Sequence, residues 1–327
     1  MALEILKADQ LSPLLLQEIE NFLDDQDTAH LFQYPQWSNG AMCAVLRDGG
    51  CLKWFGTLGI HFPLGRKMFW SRAMIANRGP VCDDAGLWHA ETEELSQQMV
   101  QRRFSYLEVS PDWVLPLSTA KRGFDGSVWE QTGAERASLR LDVTRAEDEI
   151  FAGFRKVTRY EIRRAERSGI SATAASTDAE IDEFLALYAR LAARKAFSPE
   201  PADTLLRQIR WLIGGSRGAL LLARSEGSIV GGTVVGRSGR RCWYVWGATD
   251  NETHTSVGHL LQWNALLWTK AHRCTEYDFG GYTPGATSGP AWFKAGFGGT
   301  VVRFVAPHRR IIRRGRYRVF DLFSKIR

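Results

Sequence analysis

The residue best placed for chemistry is Lys294, in the run Trp292-Phe293-Lys294-Ala295-Gly296-Phe297-Gly298-Gly299. A lysine there can offer a point charge to a phosphate, or to the oxyanion that develops when an ester is attacked. The glycines let backbone N–H groups approach the same anion. Taken alone, such a lysine reads as a solvated residue of a turn. Asp278, just ahead of Gly280-Gly281, could orient an amine or hold the loop by accepting backbone N–H bonds, and the second role is the expected one. Glu108 occupies a similar place in an earlier segment. Tyr244, Trp246, Tyr282 and Trp292 could stack a nucleobase or sugar. Tyr244 and Trp246 alternate along an expected strand, so one of them also reads as core.

Other chemistries lack their motifs. There is no G-x-G-x-x-G after a strand, no Walker loop and no H-E-x-x-H. The string Gly214-Gly215-Ser216-Arg217-Gly218 matches a nucleophile elbow, but a helix is expected before it and a strand after it, the reverse of what an elbow needs. The histidines, His259 among them, form no ligand spacing and are expected at the surface or in packing, so no metal is expected.

Charge is concentrated. Residues 308–327 hold eight Lys/Arg against the single acid Asp321, so this tail carries more than the whole net charge of +6. Residues 155–167 hold six basic residues against Glu161 and Glu166. Such clusters suit a polyanion, whether nucleic acid, an anionic lipid surface or a phosphorylated substrate. Either one alone also reads as a solvated helix face.

The elements that must position these residues follow from hydrophobic period. Residues 11–25 have helical spacing, strands are expected at 42–46, 52–62 and 67–75, and a helix at 87–103 leads to a strand at 105–109. The second half repeats the order. Helices at 178–193 and 202–213 precede strands at 219–224, 229–236 and 241–248, then a helix at 257–272 and a strand at 276–279. Arg66-Lys67-Met68-Phe69-Trp70 corresponds to Arg240-Arg241-Cys242-Trp243-Tyr244, and Tyr106-Leu107-Glu108-Val109 to Glu276-Tyr277-Asp278-Phe279. Two similar α+β units are expected, joined between 142 and 150.

The chain has 327 residues, enough for two domains, with an ordinary 44% apolar and 24% charged composition. No apolar run approaches ~18 residues, so no membrane span is expected. The beginning of the chain lacks the long apolar stretch of a secretory signal. Five scattered cysteines without a C-x-x-C pair point to reduced thiols in a cytoplasmic protein.

Four segments together resemble the Fem (FemABX) family of peptidyltransferases. They are Phe32-Gln33-Tyr34-Pro35-Gln36-Trp37; Arg78-Gly79-Pro80-Val81; Leu139-Arg140-Leu141-Asp142 with Phe154-Arg155-Lys156-Val157-Thr158-Arg159 and the basic run 162–170; and Tyr277-Asp278-Phe279-Gly280-Gly281-Tyr282 with the Lys294 segment. The resemblance implies an α+β fold with mixed sheets, built as two acetyltransferase-like (GNAT) domains in tandem. These are expected over residues 1–145 and 146–307, followed by a basic tail or helix over 308–327 for which packing on the first domain is one reading.

The resemblance also implies transfer of an amino acid from aminoacyl-tRNA to an acceptor amine, on a peptidoglycan-precursor-like, peptide or natural-product molecule, with no cofactor and by a monomer. Phe293, Lys294 and Asp278 are the implied catalytic residues. Tyr244, Trp246, Tyr282, Trp292 and Glu108 would bind substrate, and Arg155, Arg159, Arg163, Arg309, Arg310, Arg313 and Arg314 would bind tRNA. The tail could instead meet an anionic membrane, at the inner face of which a cytoplasmic enzyme would then work.

Departures from the family pattern are informative. Members that accept the muropeptide precursor carry basic and aromatic residues where this chain has Ala41, Glu200 and Thr204. An acid at a phosphate-binding position repels a diphosphate, which leaves the acceptor open. The loop 250–258, where acetyltransferases cradle the coenzyme A pyrophosphate, holds one glycine, two acids and no arginine. An acyl-CoA-dependent N-acyltransferase and a non-catalytic, membrane-associated binding protein are the alternatives.

Overall fold

The structure, a computed structural model, describes residues 2–38, 41–65, 71–116, 124, 128–250 and 256–324. The expected match at Arg66–Trp70 and most of the loop after Asp250 lie outside them. In chain order the elements are β1 (Glu4–Lys7), α1 (Pro13–Asp25), β2 (Met42–Asp48), β3 (Cys51–His61), β4 (Ala73–Asn77), α2 (Ala85–Gln101), β5 (Tyr106–Ser110) and β6 (Trp129–Gln131). Next come β7 (Arg136–Asp142), α3 (Glu147–Ala152), α4 (Lys156–Arg167), β8 (Ser171–Ala174), α5 (Asp178–Lys195), α6 (Ala202–Gly214), β9 (Gly218–Ser225), β10 (Ser228–Ser238), β11 (Arg241–Thr249) and α7 (Val257–Ala271). The last are β12 (Glu276–Gly281), α8 (Gly289–Ala295), β13 (Thr300–Phe304), β14 (His308–Ile311) and α9 (Arg314–Ser324). Local chemistry sets several ends. Ser12 caps α1 by accepting from the Leu15 N–H with Pro13 next in line, and Thr177 with Glu180 forms a capping box on α5. With α6 ending at Gly214 and β9 starting at Gly218, the elbow-like string is a helix-to-strand turn.

Two compact units divide the chain: Met1–Arg136 with Arg303–Arg327, and Ala137–Val302. Residues 137–145 and 303–307 fall on the other side of the expected boundaries. β7 is a strand of the second sheet, while Arg303 joins the first unit by accepting from the Leu115 N–H at 2.8 Å.

The first sheet runs β1-β2-β3-β4-β5-β14-β6 and the second, taken in the same sense, β8-β9-β10-β11-β12-β7-β13. Position by position they correspond. In each, antiparallel strands lead to a parallel partner reached across a helix, β4 to β5 through α2 and β11 to β12 through α7. A parallel pair needs such a crossover. The sixth strand comes from different places: β7 in the second sheet, β14 in the first. Part of the basic tail is therefore an inner strand, with Arg309 opposite Glu108 on β5 and Glu130 on β6.

Each unit has its own core. Trp54, Trp88, Trp113, Leu58, Met74 and Leu107 are buried in the first, and Leu141, Phe154, Ile162, Leu261, Tyr277 and Phe279 in the second. Each such side chain contributes about 1.5–3 kcal/mol of burial. Among the described residues no helix is long and apolar enough to cross a membrane.

Candidate active site

In the second unit the parallel pair β11/β12 is joined only at Arg241 with Glu276, Cys242 with Tyr277 and Trp243 with Asp278, although both strands run on. Two local devices part them. β11 shifts register against β10 between Tyr244 and Trp246, which leaves Val245 as a bulge. On β12 the Asp278 carboxylate accepts from the Gly280 N–H at 2.8 Å, and Gly280 takes φ +71°, a left-handed conformation open to glycine. Beside the unpaired part of β11 is a cleft of about 320 Å³ lined from β10, β11, α7 and α8 by Thr233, Tyr244, Gly247, His259, Gln262 and Phe293, among others.

The first unit shows what an undivided pair looks like. β4 and β5 are paired through Asn77 and Ser110, and Ser110 N–H continues the ladder to the Gly79 carbonyl. Gln33 fills the remaining space, accepting from Thr57 N–H at 2.8 Å and donating to the Asn77 carbonyl at 2.6 Å. A Cβ on Gly79 would lie 2.4 Å from the Gln33 side chain. The Gln33 and Arg78-Gly79-Pro80-Val81 segments thus plug, in this unit, the position that is open in the other.

Lys294 stands on the short helix α8 rather than in a turn. Its ammonium donates to the Gly281 carbonyl at 2.8 Å and lies 5.7 Å from the centre of the Tyr244 ring. Burial lowers the Lys294 pKa, and Asp278 works against that shift. Phe293, its neighbour, lines the cleft and meets the His259 ring edge-on at 4.8 Å. Tyr244 lines the cleft too, and burial pushes its phenol up to about 12, so it is a neutral donor and π face at physiological pH.

Asp278 is committed elsewhere. Its carboxylate accepts from Ser138 Oγ, from Gly280 N–H and from Arg140 Nε at 3.0 Å, and it is 2% exposed. It holds the β12 turn and offers no free oxygen pair to a substrate. Trp246 is half-buried, its carbonyl accepting from Thr233 Oγ1, and Tyr282 packs on the unit's core. Trp292 is exposed and carries the Arg155 guanidinium 5.4 Å above its ring, outside the lining of the cleft. Glu108 belongs to the first unit, where it accepts from Arg309 Nε at 3.0 Å and Nη2 at 2.6 Å.

The arginines expected to bind RNA divide into two groups. Arg155 and Arg163 are exposed on or beside α4, Arg163 lying 5.2 Å over Phe151. Arg159 turns back to the Ala152 and Phe154 carbonyls, closing the segment before α4. Arg309 is sandwiched between Tyr106 and Tyr317 and paired with Glu108, and Arg310 pairs with Glu93. Arg313 donates to the Val100 carbonyl, and Arg314 is exposed. The assignment of Arg309 and Arg310 to RNA is corrected accordingly, because their charges complete the first unit's sheet.

Three cleft residues were not singled out as site residues from the sequence. His259 packs between Phe293 and Phe297 with its buried Nδ1 lacking a hydrogen-bond partner, and burial lowers its pKa, which favours a neutral ring. Gln262 donates to Thr233 Oγ1 and accepts from the Tyr277 hydroxyl at 2.8 Å, a polar chain at the cleft floor. No spacing in the sequence marks Thr233 or Gln262. His259 lies two residues into α7, which begins beside the cleft, and that position was its signal. Among the described residues no His, Cys, Asp and Glu cluster could hold a metal ion.

Comparison with known proteins agrees with this geometry. Residues 152–294 match the acetyltransferase (GNAT) domain family, a span that holds the cleft and ends on Lys294. Over 149 residues the chain is 24% identical to the UDP-N-acetylmuramoylpentapeptide-lysine N(6)-alanyltransferase of Weissella viridescens, which covers 45% of this chain and 44% of that protein's length. The crystal structure of FemX superposes with a TM-score of 0.83 at 14% identity, covering 98% of this chain and 99% of FemX. The C-terminal domain of a putative lysylphosphatidylglycerol synthetase from Agrobacterium fabrum gives 0.62 at 11% identity, over 95% and 96% of the two chains.

Proposed function

We propose that this chain, an acyltransferase with the FemABX-like tandem GNAT fold, transfers an amino acid from aminoacyl-tRNA to an acceptor amine of the peptidoglycan-precursor type. The observation that carries the reading is the parted β11/β12 pair with Lys294 at its edge. The Tyr244 ring lines the cleft and has the Lys294 ammonium 5.7 Å from its centre, so an acyl group reaching past that ring would bring its carbonyl toward the ammonium. The acceptor nitrogen attacks the ester carbon, and a tetrahedral oxyanion forms. The ammonium stabilises it, an effect worth about 2.7–4 kcal/mol for one well-placed donor. Collapse breaks the bond to the ribose oxygen, which takes the proton the amine gives up, leaving an amide and free tRNA. No buried carboxylate need act as base, consistent with the full commitment of Asp278.

The tRNA donor is favoured by the start of α7. In acetyltransferases a helix N-terminus at this point receives pyrophosphate. Here Ser256, the residue ahead of α7, donates its hydroxyl to the Glu161 carboxylate. An acid beside that helix start disfavours a further polyanion. The exposed Lys156, Tyr160, Arg163 and Arg167 of α4, with Arg155 on Trp292, instead make a basic face with aromatic platforms, as RNA contacts require. The match to an acetyltransferase family favours acyl-CoA as the second reading. On the acceptor side, Ala41 is buried and Glu200 exposed, so neither supplies a cation to a diphosphate.

Charged tRNA and acyl-CoA offered in competition to the full chain, with amide product read by mass spectrometry, test the proposal. Product from tRNA alone is expected. Product from acyl-CoA alone overturns the donor, and no product with any amine overturns the reaction.

A further inference from the structure

The first unit carries a second basic surface whose chemistry differs from that of α4. Arg313 and Arg316 donate to the Val100 and Arg103 carbonyls, at 3.4 and 3.3 Å, and so bring the start of α9 onto the C-terminal end of α2. Cations suit carbonyls at a helix C-terminus. Around this contact Arg102, Arg103, Arg314 and Arg318 are exposed, and none is ion-paired to a carboxylate of the described residues. Exposed aliphatic side chains lie among them: Val100 at 49%, Val319 at 39% and Leu322 at 62%. Arg318, Val319 and Leu322 share one face of α9 by helical spacing.

Among the residues whose side chains are described, the exposed apolar groups here are aliphatic. Tyr317 on α9 is turned to Arg309 and meets Tyr106 edge-on. A surface for single-stranded or looped RNA needs aromatic platforms. A surface for lipid needs aliphatic groups at the acyl boundary and guanidinium groups at headgroup phosphates. We infer that the α9 face, with the adjoining end of α2, docks on the headgroup layer of an anionic phospholipid bilayer. Arg102, Arg103, Arg314 and Arg318 meet lipid phosphates, and Val319 and Leu322 enter the boundary beneath them. Each arginine at such a surface is worth about fivefold in partitioning.

The test uses the full chain and vesicles of phosphatidylcholine with or without phosphatidylglycerol, read by sedimentation, so it is independent of any transfer reaction. Binding to the anionic vesicles is expected, weakening as salt is raised. Arg318→Glu should lower the partition coefficient by at least about 10-fold, and Leu322→Asp should also lower it, with melting temperatures unchanged. Equal sedimentation with both vesicle types overturns the proposal. So does full binding by both variants. Loss of tRNA affinity in Arg318→Glu, in a chain that ignores anionic vesicles, overturns it in favour of an RNA surface. Should a variant melt early, the salt dependence of the unaltered chain on the two vesicle types still decides.

Discussion

The ammonium of Lys294 donates to the Gly281 carbonyl at 2.8 Å, across the place where β12 has left β11. That bond ties α8 to the turn opened by Gly280 and leaves the remaining ammonium protons for a ligand. Lys294→Ala should therefore keep the fold and lower turnover at least about 10²-fold, the scale for losing one oxyanion donor. Single-turnover transfer from charged tRNA, with melting temperature as control, checks it; near-normal turnover would sink the assignment.

The pH dependence follows from the same group. Burial lowers the Lys294 pKa from its ordinary 10.5, with Asp278 opposing. The charged form is the one proposed to act, so activity is present below that pKa and is lost as pH rises through it. An alkaline limb in kcat/KM is expected below 10.5. Lys294→Arg should move that limb up or abolish it, because a guanidinium stays protonated. The donor ester's own hydrolysis must be measured alongside. A limb that stays in place in the arginine variant would assign it to another group.

The duplication was legible because it is written in element order and hydrophobic period. Tyr106–Val109 and Glu276–Phe279 are β5 and β12, equivalent strands of the two sheets. The Lys294 segment was singled out by its neighbours in sequence, and Phe293 of that segment lines the cleft. The parting of β11 from β12 was not, since it depends on a bulge at Val245 and on Asp278 turning its own backbone. Nor was β14, four residues with no apolar alternation whose charges are answered by Glu108 and Glu93, some two hundred positions earlier.

Asp278 gives a prediction that separates holding from catalysis. With Asp278→Asn the Arg140 guanidinium loses its charged partner at 3.0 Å in a buried setting, while the Glu276 carboxylate lies farther off at 3.7 Å. A stability loss of about 3 kcal/mol is expected, seen in denaturant unfolding. Transfer per folded molecule should fall far less than in Lys294→Ala. A stable Asp278→Asn protein with turnover as low as Lys294→Ala would give the carboxylate a direct catalytic role.

The last prediction concerns Arg309, read from sequence as an RNA contact and found inside the first unit. Its guanidinium makes two bonds to one Glu108 oxygen, Nη2 at 2.6 Å, and lies 4.2 Å over the Tyr106 ring, with a further bond to the Tyr317 hydroxyl. Both side chains are under one-fifth exposed. Removing one partner leaves a partly desolvated charge, so Glu108→Gln and Arg309→Ala should each destabilise the chain by about 1–3 kcal/mol. Replacing both should cost less than the two losses added, because neither charge is then stranded. Deleting residues 309–327 should do more, removing an inner strand between β5 and β6 and exposing both edges. Denaturant unfolding of the parent chain, the two single variants and the double variant measures this cycle directly, and the truncated chain is measured alongside. RNA affinity of Arg309→Ala, compared at matched folded fraction, should match the parent chain. If instead the variant keeps full stability while its affinity and salt slope both fall, Arg309 is an RNA contact and β14 is not what holds it.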